Sequence, residues 1–194
     1  ELALFQADAR DELVVNTSVG GRTSFRNAGP TRRRGVEGAL RLPLGERWRL
    51  DLSGTWLDAE FRAPFASCTG AGCAAPSTVA AGTTLPGIPR TQAFAALRGG
   101  GAIGWQAQFD VLHVGGVSAT TAGDVRTDGY TLLSASVGWG FDGVRARGRV
   151  FAGVSNLADR RYIGSVIVND GNGRYFEPGA GRAFTLGVEV HWGD

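Results

Sequence analysis

The feature that most constrains this chain is a period of two in its polarity. The pattern runs through segments of about 10–14 residues, longer than the usual soluble strand of about 5–6 residues, and no helical period competes with it. A tilted strand needs about 9–11 residues to cross a bilayer. The pattern predicts about eight strands, at 1–11, 31–43, 46–61, 89–98, 102–114, 128–141, 144–157 and 182–192.

The connections between these segments alternate between tight turns and long loops. The tight turns fall at 42–46, 98–101 and 141–143. The long loops fall at 11–29, 62–88, 115–127 and 157–181. In an antiparallel arrangement every tight turn then lies at one end of the strands and every long loop at the other. Short periplasmic turns and long extracellular loops are typical of bacterial outer-membrane barrels. The sequence therefore predicts an all-β fold, an antiparallel transmembrane β-barrel segment.

The two faces of each predicted strand differ in chemistry. In the segment 46–61, Trp48 and Leu50 lie on one face, with Arg49 and Asp51 on the other. A face with charges and amides suits a hydrated lumen better than a dry core. Tryptophans near the tight-turn ends are expected to form an aromatic girdle at one membrane interface: Trp48, Trp105, Trp139 and Trp192.

Composition excludes several other classes of protein. The net charge of +2 is too small to indicate binding to nucleic acid. The sequence contains no run of about 18 apolar residues, so no transmembrane helix is predicted. The two histidines do not support a Ser–His–acid site. The chain has no Met and begins at Glu1 within a strand pattern. We therefore expect a piece of a longer protein, without enzymatic activity or cofactor.

The only two cysteines of the chain lie in one long loop. Small residues separate Cys68 from Cys73. We predict a local disulfide that closes the loop, which requires an oxidising compartment such as the periplasm or the cell surface. The alternative is half of a zinc site, but His113 and His191 lack the spacing of a zinc finger.

Several motifs, in a consistent order, resemble one family. Residues 154–162 read V-S-N-L-A-D-R-R-Y and residues 176–182 read F-E-P-G-A-G-R, before a last strand that ends on the aromatic Trp192. This sequence resembles the C-terminal barrel of TonB-dependent outer-membrane receptors of the siderophore-receptor type. The other segments that resemble that family are 10–14, 25–28, 32–37, 55–59 and 85–90.

The resemblance implies a receptor with a barrel of about 22 strands and a plug in its lumen. Such a receptor takes up scarce cargo, most often a ferric siderophore, with energy that the TonB complex passes on through the plug. Residues 1–194 would then form the C-terminal part of the barrel, without the plug or the first strands. The expected location is the bacterial outer membrane. Its lipid, lipopolysaccharide and the barrel-assembly machinery are the other expected partners.

Two sets of residues are candidates for specific contacts. Arg32, Arg33 and Arg34 lie at the outer end of a strand, where guanidinium groups are suited to lipopolysaccharide phosphates or to an anionic ferric chelate. The alternative is a solvated strand entrance. Trp192 and Gly187 resemble the C-terminal signal read by the barrel-assembly machinery, and the alternative is a plain edge-strand aromatic.

Two other folds fit part of the pattern. Eight strands suffice for a complete small outer-membrane barrel with a structural, adhesive or lipid-modifying role. A soluble barrel of lipocalin type would instead turn its apolar faces inward and carry the arginine rows outside. For a segment of a larger barrel we expect an open sheet, with the first and last strands each unpaired on one side. A ladder between those two strands would contradict this expectation.

Overall fold

The computed structural model describes residues 1–68 and 76–192. The described residues form strands, turns and loops, and none lies in a helix that is long and apolar enough to cross a membrane. In chain order the strands are β1 (Leu2–Ala9), β2 (Leu13–Val19), β3 (Arg22–Asn27), β4 (Thr31–Leu44), β5 (Trp48–Phe61), β6 (Phe65–Ser67), β7 (Ser77–Val79), β8 (Thr91–Gly100), β9 (Gly104–Val114), β10 (Tyr130–Asp142), β11 (Ala146–Ser155), β12 (Ile163–Val166), β13 (Phe176–Pro178) and β14 (Ala183–Trp192).

Eight strands form a single antiparallel sheet in the order β1-β4-β5-β8-β9-β10-β11-β14. These are the strands that the period of two predicts, and their bounds differ from the prediction by a few residues. The all-β, antiparallel fold is therefore confirmed. The six remaining strands form the hairpins β2/β3, β6/β7 and β12/β13, which lie in segments that the sequence predicts as long loops.

The large sheet is open. Within the described residues β1 pairs only with β4, and β14 pairs only with β11. Each of the two edge strands thus has one row of backbone groups without a strand partner. The expected open sheet is confirmed, and the ladder that a small closed barrel needs between β1 and β14 does not form.

One face of the sheet is apolar and exposed. Leu186 has 79% of its surface exposed, Leu4 has 75% and Trp105 has 69%. The opposite face is polar and surrounds a hollow of about 990 Å³, where Arg49 and Arg98 are among the lining residues. This orientation is the reverse of a lipocalin-type barrel, so that alternative is wrong. A large exposed apolar face requires a nonaqueous partner.

The buried core of the described chain lies at the long-loop end of the sheet. Phe61 and Ala59, near the end of β5, are almost completely buried. The loops fold over them, with Val14 from β2 and Leu85 from the loop before β8 in the same cluster. Phe65 packs edge-on against Phe61, with 4.8 Å between the ring centroids. Side-chain burial therefore ties the long loops to the sheet.

Several strand glycines make room for an aromatic ring of the next strand. A Cβ at Gly187 on β14 would overlap the ring of Phe151 on β11, and a Cβ at Gly99 would overlap Trp48. A glycine has no side chain to cover its backbone, and the aromatic ring of the neighbouring strand covers that backbone instead. Gly187 therefore has a structural role in addition to the predicted assembly signal.

We predict that Gly187→Ala lowers the free energy of unfolding by about 1–3 kcal/mol, because Phe151 must leave its position. The matched control is Gly54→Ala, where the nearest atom to a new Cβ is a carbonyl oxygen at 3.6 Å. Urea unfolding in detergent micelles, followed by tryptophan fluorescence, measures both variants. Equal stabilities of the two variants would contradict the packing role.

Candidate functional site

The polar face carries a cluster of arginines around one carboxylate. Asp51 on β5 accepts hydrogen bonds from Arg41 Nε and Arg49 Nε, both at 2.9 Å, and from Arg98. Arg98 Nε also donates to Gln108 Oε1 at 3.1 Å. Four neighbouring strands are thereby joined across the hollow. Asp51 with its three guanidinium partners forms a locally positive cluster, and Gln108 Nε2 continues the network to the carboxylate of Asp110.

A second group of charges lies on the last two strands of the sheet. Arg149 Nε donates to Glu189 at 2.9 Å, and His191 Nε2 lies 3.0 Å from the other carboxylate oxygen. The Arg149 guanidinium lies 5.0 Å from the centroid of the Phe151 ring. These charges of the polar face are therefore paired with one another, which suits a hydrated surface.

The structure separates the three consecutive arginines by face. Arg32 and Arg34 lie on the face of β4 that also carries the apolar residues, whereas Arg33 lies on the polar face, because side chains alternate along a strand. Arg32 Nε pairs with Asp8 at 2.7 Å, and Arg34 pairs with Asp58 at 2.9 Å. They do not form one free cationic patch, and their contact with an anion stays a prediction.

Arg33 holds the base of the first long loop. Its two Nη atoms donate to Glu12 at 2.7 and 3.0 Å, and the Thr31 hydroxyl donates to the same carboxylate at 3.0 Å. The hydrogen bonds from Arg33 hold the pKa of Glu12 below its ordinary value, against the opposing effect of burial. This bidentate pair orients the hairpin β2/β3 over the polar side of the sheet.

Asn169 joins three of the long loops. Its Nδ2 donates to Val15 O and to Thr121 Oγ1, both at 2.6 Å, and its Oδ1 accepts from Thr121 N at 2.9 Å. Its backbone N–H donates to Ala119 O, and its carbonyl accepts from Ser18 N. The side chain is fully buried. Loops 11–29, 115–127 and 157–181 therefore meet at one residue.

The two C-terminal motifs form one interlocked unit at the base of the last loop. Asn156 Nδ2 donates to Ala180 O at 3.1 Å, and Asp159 Oδ1 accepts from Arg182 N at 3.0 Å. The side chains of the first motif thus bind the backbone of the second. These hydrogen bonds hold the two ends of the loop next to each other.

An aromatic contact completes that unit. A Cβ at Gly179 would overlap the ring of Tyr162, and Tyr162 packs against Tyr130 with 4.4 Å between ring centroids. Gly179 N also donates to Tyr162 O at 2.9 Å. Only a residue without a side chain fits beneath the ring of Tyr162, which explains Gly179 in the 176–182 motif.

The remaining sequence candidates have structural surroundings of their own. Trp192 lies at the end of β14 on the apolar face and is largely exposed. The predicted disulfide involves Cys73, which lies outside the described residues, so the pairing with Cys68 stays a prediction. Across 1–68 and 76–192 no group of three His, Cys, Asp or Glu side chains is placed to hold a metal ion. His113 instead contacts Thr131 Oγ1 at 3.0 Å.

The fold and the arrangement of the loops together define a class of protein. Its members have an antiparallel barrel wall with an apolar outer face and a polar inner face. A family profile described as TonB dependent receptor-like, beta-barrel, matches residues 1–157. The chain belongs to this family of TonB-dependent receptors. The resemblance seen in the sequence is confirmed. Members of the family are receptors and transporters of the outer membrane rather than enzymes.

Solved receptor structures share the fold. The siderophore receptor PiuA from Acinetobacter baumannii superposes with a TM-score of 0.77 at 18% identity, over 98% of this chain and 26% of that one. The ferric preacinetobactin receptor BauA from the same organism gives 0.70 at 19% identity, over 97% and 26%. The ferric yersiniabactin uptake receptor FyuA from Yersinia pestis gives 0.66 at 20% identity, over 97% and 26%. The chain thus spans about a quarter of the length of these receptors.

We predict that Glu12→Gln lowers stability by about 1–3 kcal/mol at neutral pH, because charge-assisted bonds from Arg33 are weakened. Since the folded pKa of Glu12 is depressed, its contribution is present above the unfolded pKa and is lost as pH falls through the folded pKa. The variant should therefore lose less stability than the wild type between pH 7 and pH 3. Urea unfolding at both pH values measures this difference.

The matched control for this prediction is Glu46→Gln in the first tight turn, where the carboxylate is exposed and no ion pair is formed among the described residues. Its pH dependence should equal that of the wild type. An equal pH dependence for Glu12→Gln and wild type would contradict the role of the Glu12–Arg33 pair.

We also predict that Asn169→Ala loosens three loops together, because two of them lose their hydrogen bonds to its side chain and Thr121 N is left unpaired in a buried position. Exchange of the backbone amide hydrogens should accelerate near Ser18, Ala119 and Thr121 and should stay unchanged in the centre of the sheet. Asn172→Ala in the same loop is the control. Faster exchange confined to loop 157–181 would contradict the joining role.

Proposed function

We propose that this chain is the C-terminal part, residues 1–194, of the barrel of an outer-membrane receptor that takes up ferric siderophores or similar cargo. The observation that carries the proposal is the open eight-stranded sheet with one exposed apolar face and one polar face, in a chain of the TonB-dependent receptor family. The open edges of β1 and β14 are where the remaining strands of the barrel would pair.

The exposed apolar face is suited to contact with membrane lipid. Every backbone group within hydrocarbon must be paired, and the sheet pairs those of its six inner strands while it presents leucine, valine and tryptophan outward. Trp105 and Trp139 meet edge-to-face at 5.2 Å between ring centroids near the tight turns. An aromatic girdle belongs at a membrane interface. We therefore assign the tight turns to the periplasm and the long loops to the cell exterior.

The names of the neighbours support the choice of cargo. PiuA is a siderophore receptor, BauA a ferric preacinetobactin receptor and FyuA a ferric yersiniabactin uptake receptor. In this proposal the cargo meets the long loops first and then passes along the polar face, with energy that TonB supplies through a plug in the hollow. The arginines around Asp51 give that face the hydrated, locally positive character that such a plug would meet.

The other proposed partners contact the outer surface and the last strand. Arg32 and Arg34 lie just beyond the apolar band, at a level where lipopolysaccharide phosphates are expected. Trp192 and Gly187 would be read by the barrel-assembly machinery. The pairing of Arg34 with Asp58 is compatible with such a contact, because Arg34 stays exposed, and Trp192 is exposed as well.

An uptake assay tests the proposal. The gene that contains these codons is deleted and restored in its host, and uptake of ⁵⁵Fe is measured with a panel of ferric siderophores. We expect at least one ferric complex to enter only when the gene is present, and only when TonB is functional. Uptake of every complex at the same rate without the gene, in iron-starved cells, would contradict the proposed function. A variant that lacks codons 1–194 should behave as the deletion.

A further inference from the structure

A turn in the last long loop has the sequence Asp170-Gly171-Asn172-Gly173. Asn172 is the only asparagine of the chain that a glycine follows. The backbone nitrogen of the next residue can attack the side-chain amide of an asparagine, and the side chain of that next residue hinders the attack. Glycine has no side chain and adopts backbone conformations that other residues avoid. The pair Asn172–Gly173 therefore combines an electrophilic amide with an unhindered nucleophile.

The structure leaves the peptide bond between Asn172 and Gly173 open to solvent. Both residues are exposed, and a Cβ added at Gly173 would have no other atom within 4 Å. Gly173 has a φ of +75°, in the region that favours glycine. Its N–H donates to Asp170 O at 3.3 Å, beyond the usual range of about 2.7–3.2 Å. The attacking nitrogen is therefore only weakly held.

The side chain of Asn172 is free to rotate, whereas those of the other asparagines are held. Within residues 1–68 and 76–192 the side-chain amide of Asn172 has no hydrogen-bond partner. The other asparagines each donate a hydrogen bond from Nδ2, and a residue with a side chain follows each of them: Asn16, Asn27, Asn156 and Asn169. A held amide does not turn toward the next backbone nitrogen. The sequence and the structure therefore select the same asparagine.

The same turn contains an Asp–Gly pair, which the structure protects from the corresponding attack. Gly171 N donates to Ser18 O at 2.8 Å. The carboxylate of Asp170 accepts hydrogen bonds from Asn172 N at 3.1 Å and from Arg174 N at 2.6 Å. An ionised carboxylate is also a poorer electrophile than an amide. We therefore expect attack within this turn at Asn172 and not at Asp170.

We propose that Asn172 is a site of spontaneous deamidation. Gly173 N loses its proton and forms a bond to Asn172 Cγ, and the bond from Cγ to Nδ2 breaks. Nδ2 leaves as ammonia, with the proton that Gly173 released to solvent. Water then opens the resulting succinimide at either of its two carbonyl groups, which gives aspartate or isoaspartate. The reaction consumes water alone, and it is independent of the cargo in the proposed function.

Isoaspartate changes the geometry of the turn, because the main chain then runs through the former side chain and gains one methylene group. The added length moves Arg174 N away from the carboxylate of Asp170. The new carboxylate also carries the same charge as Asp170, two residues away. Asp170 directly follows Asn169, which joins three of the long loops. Deamidation of Asn172 therefore loosens the turn beside the residue that holds those loops together.

Mass spectrometry tests the inference on outer membranes from cells that express the complete gene. The membranes are incubated at 37 °C in water labelled with oxygen-18, at pH 8 and at pH 6, and are digested afterwards in ordinary water. Trypsin cleaves after Arg161 and Arg174, so one peptide contains both Asn172 and its internal control, Asn169. We expect oxygen-18 to enter at Asn172, and faster at pH 8, because the attacking nitrogen must lose its proton. Entry at Asn169 should be at least several-fold slower.

A synthetic peptide of residues 162–174 gives the rate of the same reaction without the fold. The rate in the folded receptor should lie within several-fold of the rate in the peptide, because the structure leaves the site open. Two results would overturn the inference. One is the absence of oxygen-18 at Asn172 of the receptor, and the other is equal incorporation at Asn172 and Asn169.

Exchange of the backbone amide hydrogens in the aged, purified receptor tests the effect on the turn. Exchange near Arg174 and Ser18 should accelerate with age in the wild type. It should stay constant in Asn172→Gln, whose longer side chain closes a ring far more slowly. Asn172→Asp carries the new charge without the extra methylene group, and it should accelerate exchange less than ageing does. Equal exchange in aged wild type and aged Asn172→Gln would overturn the effect on the loops, and the uptake assay decides the proposed function independently.

Discussion

The structure depends on the pairing of backbone groups along continuous antiparallel ladders. Strands β4 and β5, for example, pair without a register shift along their whole length, from Thr31 opposite Phe61 to Leu44 opposite Trp48. In hydrocarbon an unpaired N–H or C=O costs several kcal/mol, so a lipid-facing wall admits no irregular backbone. Once the ladders are fixed, the period of two in the sequence determines which side chains lie on each face of the sheet. One face becomes apolar and the other polar.

Because the strand faces of the sheet are largely exposed, side-chain burial is concentrated at the long-loop end. Phe61 and Leu85 lie in the buried cluster there, and Asn169 connects the loops above it through hydrogen bonds. Asn156 and Asp159 fix the base of the last loop. The loops are therefore an ordered layer that is fixed to the sheet by buried side chains and by hydrogen bonds.

The strands could be predicted from the sequence because alternation is a local signal. The segment 31–43 corresponds to β4, Thr31–Leu44. The hairpin β2/β3 was missed, although Gly20 and Gly21, both at positive φ, are the residues that a tight hairpin turn favours.

Long-range pairing was not accessible in the same way. Arg32 and Arg34 find Asp8 and Asp58, each 24 residues away in the chain, and no local pattern indicates that partnership. Asn169 has no local signal at all, since its role arises from three loops that meet only in the folded chain. Both arrangements are visible only in the folded chain.

The measurement that tests the account most directly is quenching of tryptophan fluorescence by brominated lipids in reconstituted bilayers. Single-tryptophan variants retain Trp48, Trp105, Trp139 or Trp192. The account predicts that all four are quenched, most strongly by lipids brominated near the headgroup. Absence of quenching at all four positions would contradict the assignment of the apolar face to the membrane.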